Sequence, residues 1–160
     1  MLGEWRKYLD EYDVTEERYL RKIEELKQSD TYQDPQQEAV WRLIYEINLV
    51  AHHTKDAALM ERTYRTMALM TYDMGEDSKS LVELSMQYRL IQLDNASSYR
   101  TNYSHVEMVP GCQDCLSKDN VFEISIARAL IPVPCKHCKN RTDKGHPYGL
   151  CECTWRPYKD

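Results

Sequence analysis

The stretch Asp34-Pro-Gln-Gln-Glu-Ala-Val-Trp-Arg-Leu-Ile-Tyr-Glu-Ile-Asn-Leu-Val-Ala-His-His53 carries the start, face and end signals of a long helix. Asp34 is an N-cap acid, Pro35 fits the first helical position, where no amide hydrogen is needed, and Gln37 stands three residues past the cap. Val40, Ile44, Ile47 and Ala51 recur at helical steps and form an apolar face that Trp41 and Leu43 widen. His52 and His53 close the stretch. They lie on different helix faces and cannot chelate one ion well, so they read as exposed residues suited to the negative end of the helix dipole.

Working outward, the same period recurs on both sides. Leu2, Trp5, Leu9 and Tyr12 line a short first helix. Thr15 caps a second, with Glu16 and Glu17 at its positive end, Val14 stapled onto Tyr19, and Tyr19, Ile23 and Leu26 as its stripe before a break at Ser29. Beyond Asp56, the spacing of Met60, Tyr64, Met67, Met70 and Met74 predicts a helix stopped by Gly75. Methionines at core spacing are adaptable filling. From Ser78 to Asp94, Leu81, Leu84, Tyr88 and Ile91 share a face, with Ser80 and Glu83 as a capping pair. Short connections between helices of this length require antiparallel neighbours.

The pattern changes after Asp94. Residues 95–104 are small and polar without a stripe and read as a linker. Tyr103 to Val109 has the alternation of a strand ended by Pro110-Gly111, and Val121 to Ser125 predicts a returning strand. Residues 126–131 either extend it or make a helical turn, and Pro132 and Pro134 impose an extended approach to Cys135.

All six cysteines lie between Cys112 and Cys153. Cys112-Gln-Asp-Cys115 and Cys135-Lys-His-Cys138 form two Cys-x-x-Cys pairs that can place four thiolates at the corners of a tetrahedron, the donor set of a structural zinc ion. In spacing, this region resembles a zinc ribbon, a resemblance that covers about a quarter of the chain and rests on its cysteines. It implies structural Zn2+ held by Cys112, Cys115, Cys135 and Cys138. Cys151-Glu-Cys153 leaves an alternative open. One of the two, Cys153 in particular, can replace Cys138 as the fourth thiolate. His137 and His146 are further donors whose simpler reading is exposed loop. The expected architecture is mainly α: an N-terminal antiparallel helical bundle or helical-hairpin stack over residues 1–94, the linker 95–104 and a small zinc-ribbon-like β module over 105–160. That module has little core of its own and is expected to unfold without its ion.

A second motif overlaps the first. His105-Val-Glu107 followed by Pro134-Cys135-Lys-His-Cys138 resembles the signature of zinc-dependent nucleobase deaminases, which implies His105, Cys135 and Cys138 as ligands and Glu107 as the proton shuttle. The sequence departs from that family where its motifs open helices. Pro110-Gly111 and Asn140-Arg-Thr-Asp-Lys-Gly145 follow instead, and Cys112 and Cys115 are left without a role.

Composition narrows the function classes. Charged residues are 29% of the chain, no apolar run reaches 18 residues, and no membrane association is expected. Met1-Leu-Gly-Glu-Trp-Arg-Lys-Tyr8 lacks the pattern of a secretory signal, so the expected compartment is the cytoplasm, where paired thiols are metal ligands rather than disulfides. Net charge is −5, concentrated in the helical part, unlike a dedicated DNA binder. A local exception is Lys136, Lys139, Arg141 and Lys144, a basic loop that could meet phosphates, with Tyr148 or Trp155 to stack on a base. Twelve tyrosines against one phenylalanine favour half-buried and partner-facing rings. The expected function is a non-catalytic interaction or adaptor protein with a protein partner and a structural zinc site. A nucleic-acid-binding zinc-ribbon protein is the alternative, and a deaminase-type hydrolase is a third reading.

Overall fold

The computed structural model describes residues 3–100, 103–109, 120–130, 133, 138–142 and 146–159. Within them the protein is mainly helical with one small antiparallel sheet. The first apolar stretch forms a 3-10 helix, Glu4–Leu9, that buries Leu9. In helix α1 (Glu16–Lys27), the Thr15 hydroxyl accepts from the Arg18 amide at 3.2 Å, and Tyr19, Ile23 and Leu26 are buried as the stripe requires. In α2 (Pro35–Thr54), Asp34 accepts from the amides of Gln36 and Gln37, both at 3.0 Å, so one side chain satisfies two of the orphan donors at the helix start.

The core face of α2 sits slightly round from the expected stripe. Asn48 is buried and Ile47 only half-buried, because the Asn48 amide donates to Thr63 Oγ1 at 2.7 Å inside the helix pair. Lys55 ends α2 in the left-handed region at φ 56, with the Asp56 amide donating back to the Ala51 carbonyl at 2.9 Å. This is a Schellman-type stop made without glycine. Asp56 then caps α3 (Ala57–Asp73) through the Leu59 amide at 3.0 Å, so two residues serve as both end and beginning. Met60, Met67 and Met70 are core residues of α3, as their spacing predicts. Gly75 follows at φ 78.

Helix α4 (Lys79–Arg100) departs from expectation in three ways. Its first turn is capped earlier, by Asp77 accepting from the Lys79 amide, so Ser80 and Glu83 lie inside the helix. Its buried residues are Val82, Ser85, Met86, Leu90 and Leu93, whereas Leu81, Leu84, Tyr88 and Ile91 are half-buried. Both stripes are apolar, and which one goes inside is decided by the partners, since α4 is packed against α3 and also against the C-terminal elements. It also runs past Asp94, making residues 95–100 its last turns rather than connecting chain.

Strand β1 (His105–Val109) is central. Strand β2 (Val121–Glu123) pairs on one edge, with Val106 opposite Phe122, and β3 (Thr154–Tyr158) on the other, with Met108 opposite Trp155. The sequence reading did not foresee β3. Its Pro157 lacks a donor and is tolerated because β3 is an edge. Of the two readings open for residues 126–131, the helical one holds over 126–130, in α5 (Ile124–Leu130), and residue 131 lies outside the described residues.

Two apolar clusters result. The 3-10 helix, α1, α2 and one side of α3 enclose Leu9, Tyr19, Ile23, Leu43, Ile44, Met67 and Met70. The other side of α3, with Ala68 and Tyr72, joins α4, the sheet and α5 around Met86, Leu90, Val106, Met108 and Trp155. The C-terminal elements therefore share a core with the helices. Arg65 on α3 donates to the Cys151 carbonyl at 2.9 Å and Arg89 on α4 to the Trp155 carbonyl at 3.1 Å.

Candidate metal centre

Cys112, Cys115 and Cys135, three of the four ligands expected from spacing, lie outside the described residues, as do His137, Lys136, Lys144 and the Pro110-Gly111 turn. The fourth, Cys138, is described, and it is brought beside the Cys-x-Cys pair. Cys151 and Cys153 are 3% and 0% exposed in the second core, and Cys138 packs against that cluster. The Cys151 thiol contacts the thiols of both Cys138 and Cys153, and these contacts, together with burial, push its ionisation well above the ordinary thiol range. Just before β3, Cys151 and Cys153 are buried while Glu152 between them is exposed, the alternation in which residues two apart share one side of the chain, so both sulfurs reach the same interior.

The approach of the two chain segments has a local cause. The Leu150 amide donates to the Asn140 carbonyl at 2.8 Å, and the Asn140 side-chain amide donates to the Leu150 carbonyl at 2.8 Å and to Glu152 Oε2 at 2.7 Å. Arg141, at φ 65, pairs with the other oxygen of Glu152. Gly149 permits the contact, because a Cβ placed there would lie 2.2 Å from the Cys138 carbonyl oxygen and 3.2 Å from that of Asn140. Tyr72 of α3 anchors the far side by donating to the Arg141 carbonyl at 2.7 Å, with the His146 ring stacked on it at 4.1 Å. Asn140, Gly149 and Glu152 escaped the sequence reading. Their only signal is their spacing, two residues after Cys138, two before Cys151, and between the paired cysteines.

Chemically, this is a buried group of soft thiols brought together from two chain segments, the donor class that favours zinc and other thiophilic ions once deprotonated. Among the described residues, no group of three or more Cys, His, Asp or Glu side chains closes around a common centre.

The deaminase pairing is not assembled within the described residues. His105 and Glu107 point to the face of β1 opposite Val106 and Met108, which are buried in the cluster that Cys138 packs on. His105 Nδ1 meets Ser104 Oγ at 2.8 Å and Glu107 accepts from Arg156 Nε at 2.8 Å across β1 and β3. Of the basic loop, Lys139 is exposed while Arg141 is engaged by Glu152. Tyr148 is 45% exposed, but Trp155, expected as a possible stacking ring, is 1% exposed and packs edge-on against Phe122, since it occupies the inward register of β3.

No protein-family model, curated protein or solved structure matches the chain. Among the described residues, no helix is long and apolar enough to cross a membrane.

Proposed function

We propose that this chain is a non-catalytic interaction protein whose C-terminal part is stapled by a structural zinc ion in a zinc-ribbon-like arrangement, with thiolates drawn from Cys112, Cys115, Cys135 and Cys138. The observation that supports this reading is the placement of Cys138 with Cys151 and Cys153 inside a core shared with α3 and α4. A structural ion belongs in such a place: it adds stability where two irregular segments meet and offers no open path for substrate. The outward placement of His105 and Glu107, with Glu107 held by Arg156, favours a structural rather than a hydrolytic role.

The interaction half of the proposal draws on the outer face of α2. Tyr45, Leu49 and Val50 are 48%, 50% and 57% exposed there. Beside them His52 meets the Tyr64 hydroxyl at 2.9 Å, and Tyr64 stacks on Tyr88 at 5.7 Å. Exposed apolar and tyrosine side chains of this kind suit a protein partner. The nucleic-acid alternative is weaker, because Glu152 already neutralises one of its four cations.

The test is metal analysis of the purified full chain. Stoichiometric zinc that survives mild chelation, with no deamination of nucleosides by the zinc-loaded protein, is the expected result. Deaminase activity that disappears in Glu107→Ala would replace the reading with the hydrolase. Salt-sensitive binding of single-stranded RNA that weakens on neutralising Lys136, Lys139, Arg141 and Lys144 would replace it with the nucleic-acid binder.

A further inference from the structure

The outer face of α2 has the makings of one half of a symmetric contact. We infer that it docks on the same face of a second copy of this chain, the two α2 helices running antiparallel about a two-fold axis at Leu49. This rests on the interaction half of the reading above, whose protein partner it names, and does not depend on zinc.

The first observation is the stripe. Arg42, Tyr45, Leu49 and His52 recur at steps of three and four, all four are exposed, and the stripe ends at exposed Asp56 in the turn to α3. The opposite side of α2, with Val40, Leu43, Ile44 and Ala51, is committed to the protein's own core, so the helix carries a second seam. Tyr45 and Leu49 form its centre and Val50 widens it on one flank. On the other flank the rings of His52, Tyr64 and Tyr88 lie 5.6 to 5.9 Å from one another, with His52 edge-on to both tyrosines. Rings already held by one another lose little freedom when a partner covers them.

The second observation is charge. A two-fold axis at Leu49 sets each residue beside the one equally far past Leu49 on the partner. Arg42 then approaches the partner's Asp56. At about 100° per residue, Glu46 and His53 share one side of the stripe, and Tyr45 and His52 the other. Glu46 therefore meets the partner's His53 along one rim, and Tyr45 meets the partner's His52 along the other, each contact occurring twice. A parallel pair would instead set like against like, with Arg42 on the partner's Arg42 and Glu46 on the partner's Glu46. Glu46 is already shared with Lys22 and Arg18, and Arg42 with Glu38, so the opposed charges chiefly fix direction and register while Tyr45 and Leu49 supply the buried area.

The experiment is sedimentation of the full-length chain over a concentration series at about 0.15 M salt, where general repulsion from the net charge of −5 is screened. The mass is expected to rise with concentration from the 19.0 kDa monomer to twice that value. Leu49→Glu places two carboxylates on the axis and should weaken the dimer by about 10-fold or more, and Arg42→Glu, facing the partner's Asp56, should weaken it less. Both positions are exposed, and circular dichroism checks that each variant is folded. Cross-linking reads the register. Under mild copper-phenanthroline oxidation, Leu49→Cys should join two copies above the level of identically treated wild type. Arg42→Cys should not, because its two copies lie about 20 Å apart along the helices. A chain that stays monomeric up to its solubility limit overturns the inference and leaves the zinc-stapled adaptor reading to metal analysis. A dimer that survives Leu49→Glu unweakened, or in which Leu49→Cys cross-links no better than wild type, also overturns it, since the second copy then sits on another face.

Discussion

Replacing Gly149 by alanine is the sharpest structural perturbation available. The added Cβ would meet the Cys138 carbonyl oxygen at 2.2 Å, its carbon at 3.0 Å and the Asn140 carbonyl at 3.2 Å. All three are main-chain atoms and cannot swing aside as a flexible side chain would. Overpacking of this kind costs about 1–3 kcal/mol. The shift that relieves it also strains the two bonds between Asn140 and Leu150, each worth about 1 kcal/mol, so the expected loss is about 2–4 kcal/mol. With an m-value near 2 kcal/mol/M for urea, the unfolding midpoint should fall by about 1–2 M. Equilibrium unfolding followed by tryptophan fluorescence and far-ultraviolet circular dichroism reads this directly. The comparison is Gly75→Ala, where nothing lies within 4 Å of the new Cβ and only the positive φ of 78° opposes it. That change should cost about 1 kcal/mol through backbone strain alone. A Gly149→Ala midpoint equal to that of wild type would show that the 138–140 and 149–151 segments do not press together as described.

Four further outcomes are expected. Asp34→Ala removes two capping bonds of α2 and the contact from Trp5 Nε1 at 3.1 Å, and thermal unfolding should show a loss of about 1–2 kcal/mol. Lys55→Gly should raise the melting temperature by relieving the left-handed residue, a gain of about 1 kcal/mol. Asn48→Ala removes the buried bond to Thr63 Oγ1, which still donates to its own helix, and opens a small void, costing about 1–2 kcal/mol in urea unfolding. For Glu46, desolvation works to raise its carboxyl, but hydrogen bonds and attraction from Lys22 and Arg18 prevail and hold it below the ordinary range. The stability this provides is present above the unfolded-state value and lost as pH falls through the folded one. Because the side chain is 40% exposed and so partly screened by solvent, Glu46→Gln should flatten the acid limb of the stability profile by under about 1 kcal/mol.

The helices were legible because their caps are local. Thr15, Asp34 and Asp56 each sit beside the amides they serve, and the stripes of α1 and α3 follow from period alone. The burial of α4 was not, since its two apolar faces are equivalent until the sheet arrives, and the sheet depends on β3, some 50 residues further along. At the candidate centre, spacing pointed to Cys112, Cys115, Cys135 and Cys138, of which Cys138 lies among the described residues. The burial of Cys151 and Cys153 beside Cys138 was hidden because the approach of their segments depends on Asn140, Gly149 and Glu152, which no spacing rule singles out.

Helix α3 has a consequence for how the molecule comes apart. It supplies Met67 and Met70 to one core and Ala68 and Tyr72 to the other. Its buried Thr63, Thr66 and Thr71 turn their hydroxyls onto carbonyls of their own helix at 3.0, 3.0 and 2.8 Å, so they need no neighbour to satisfy them. Neither cluster can open fully without stripping one flank of α3, which ties the two into a single cooperative unit. Its amides should therefore be the last in the chain to exchange with deuterium, and a disturbance at the thiols should shorten their protection even though no cysteine lies on that helix.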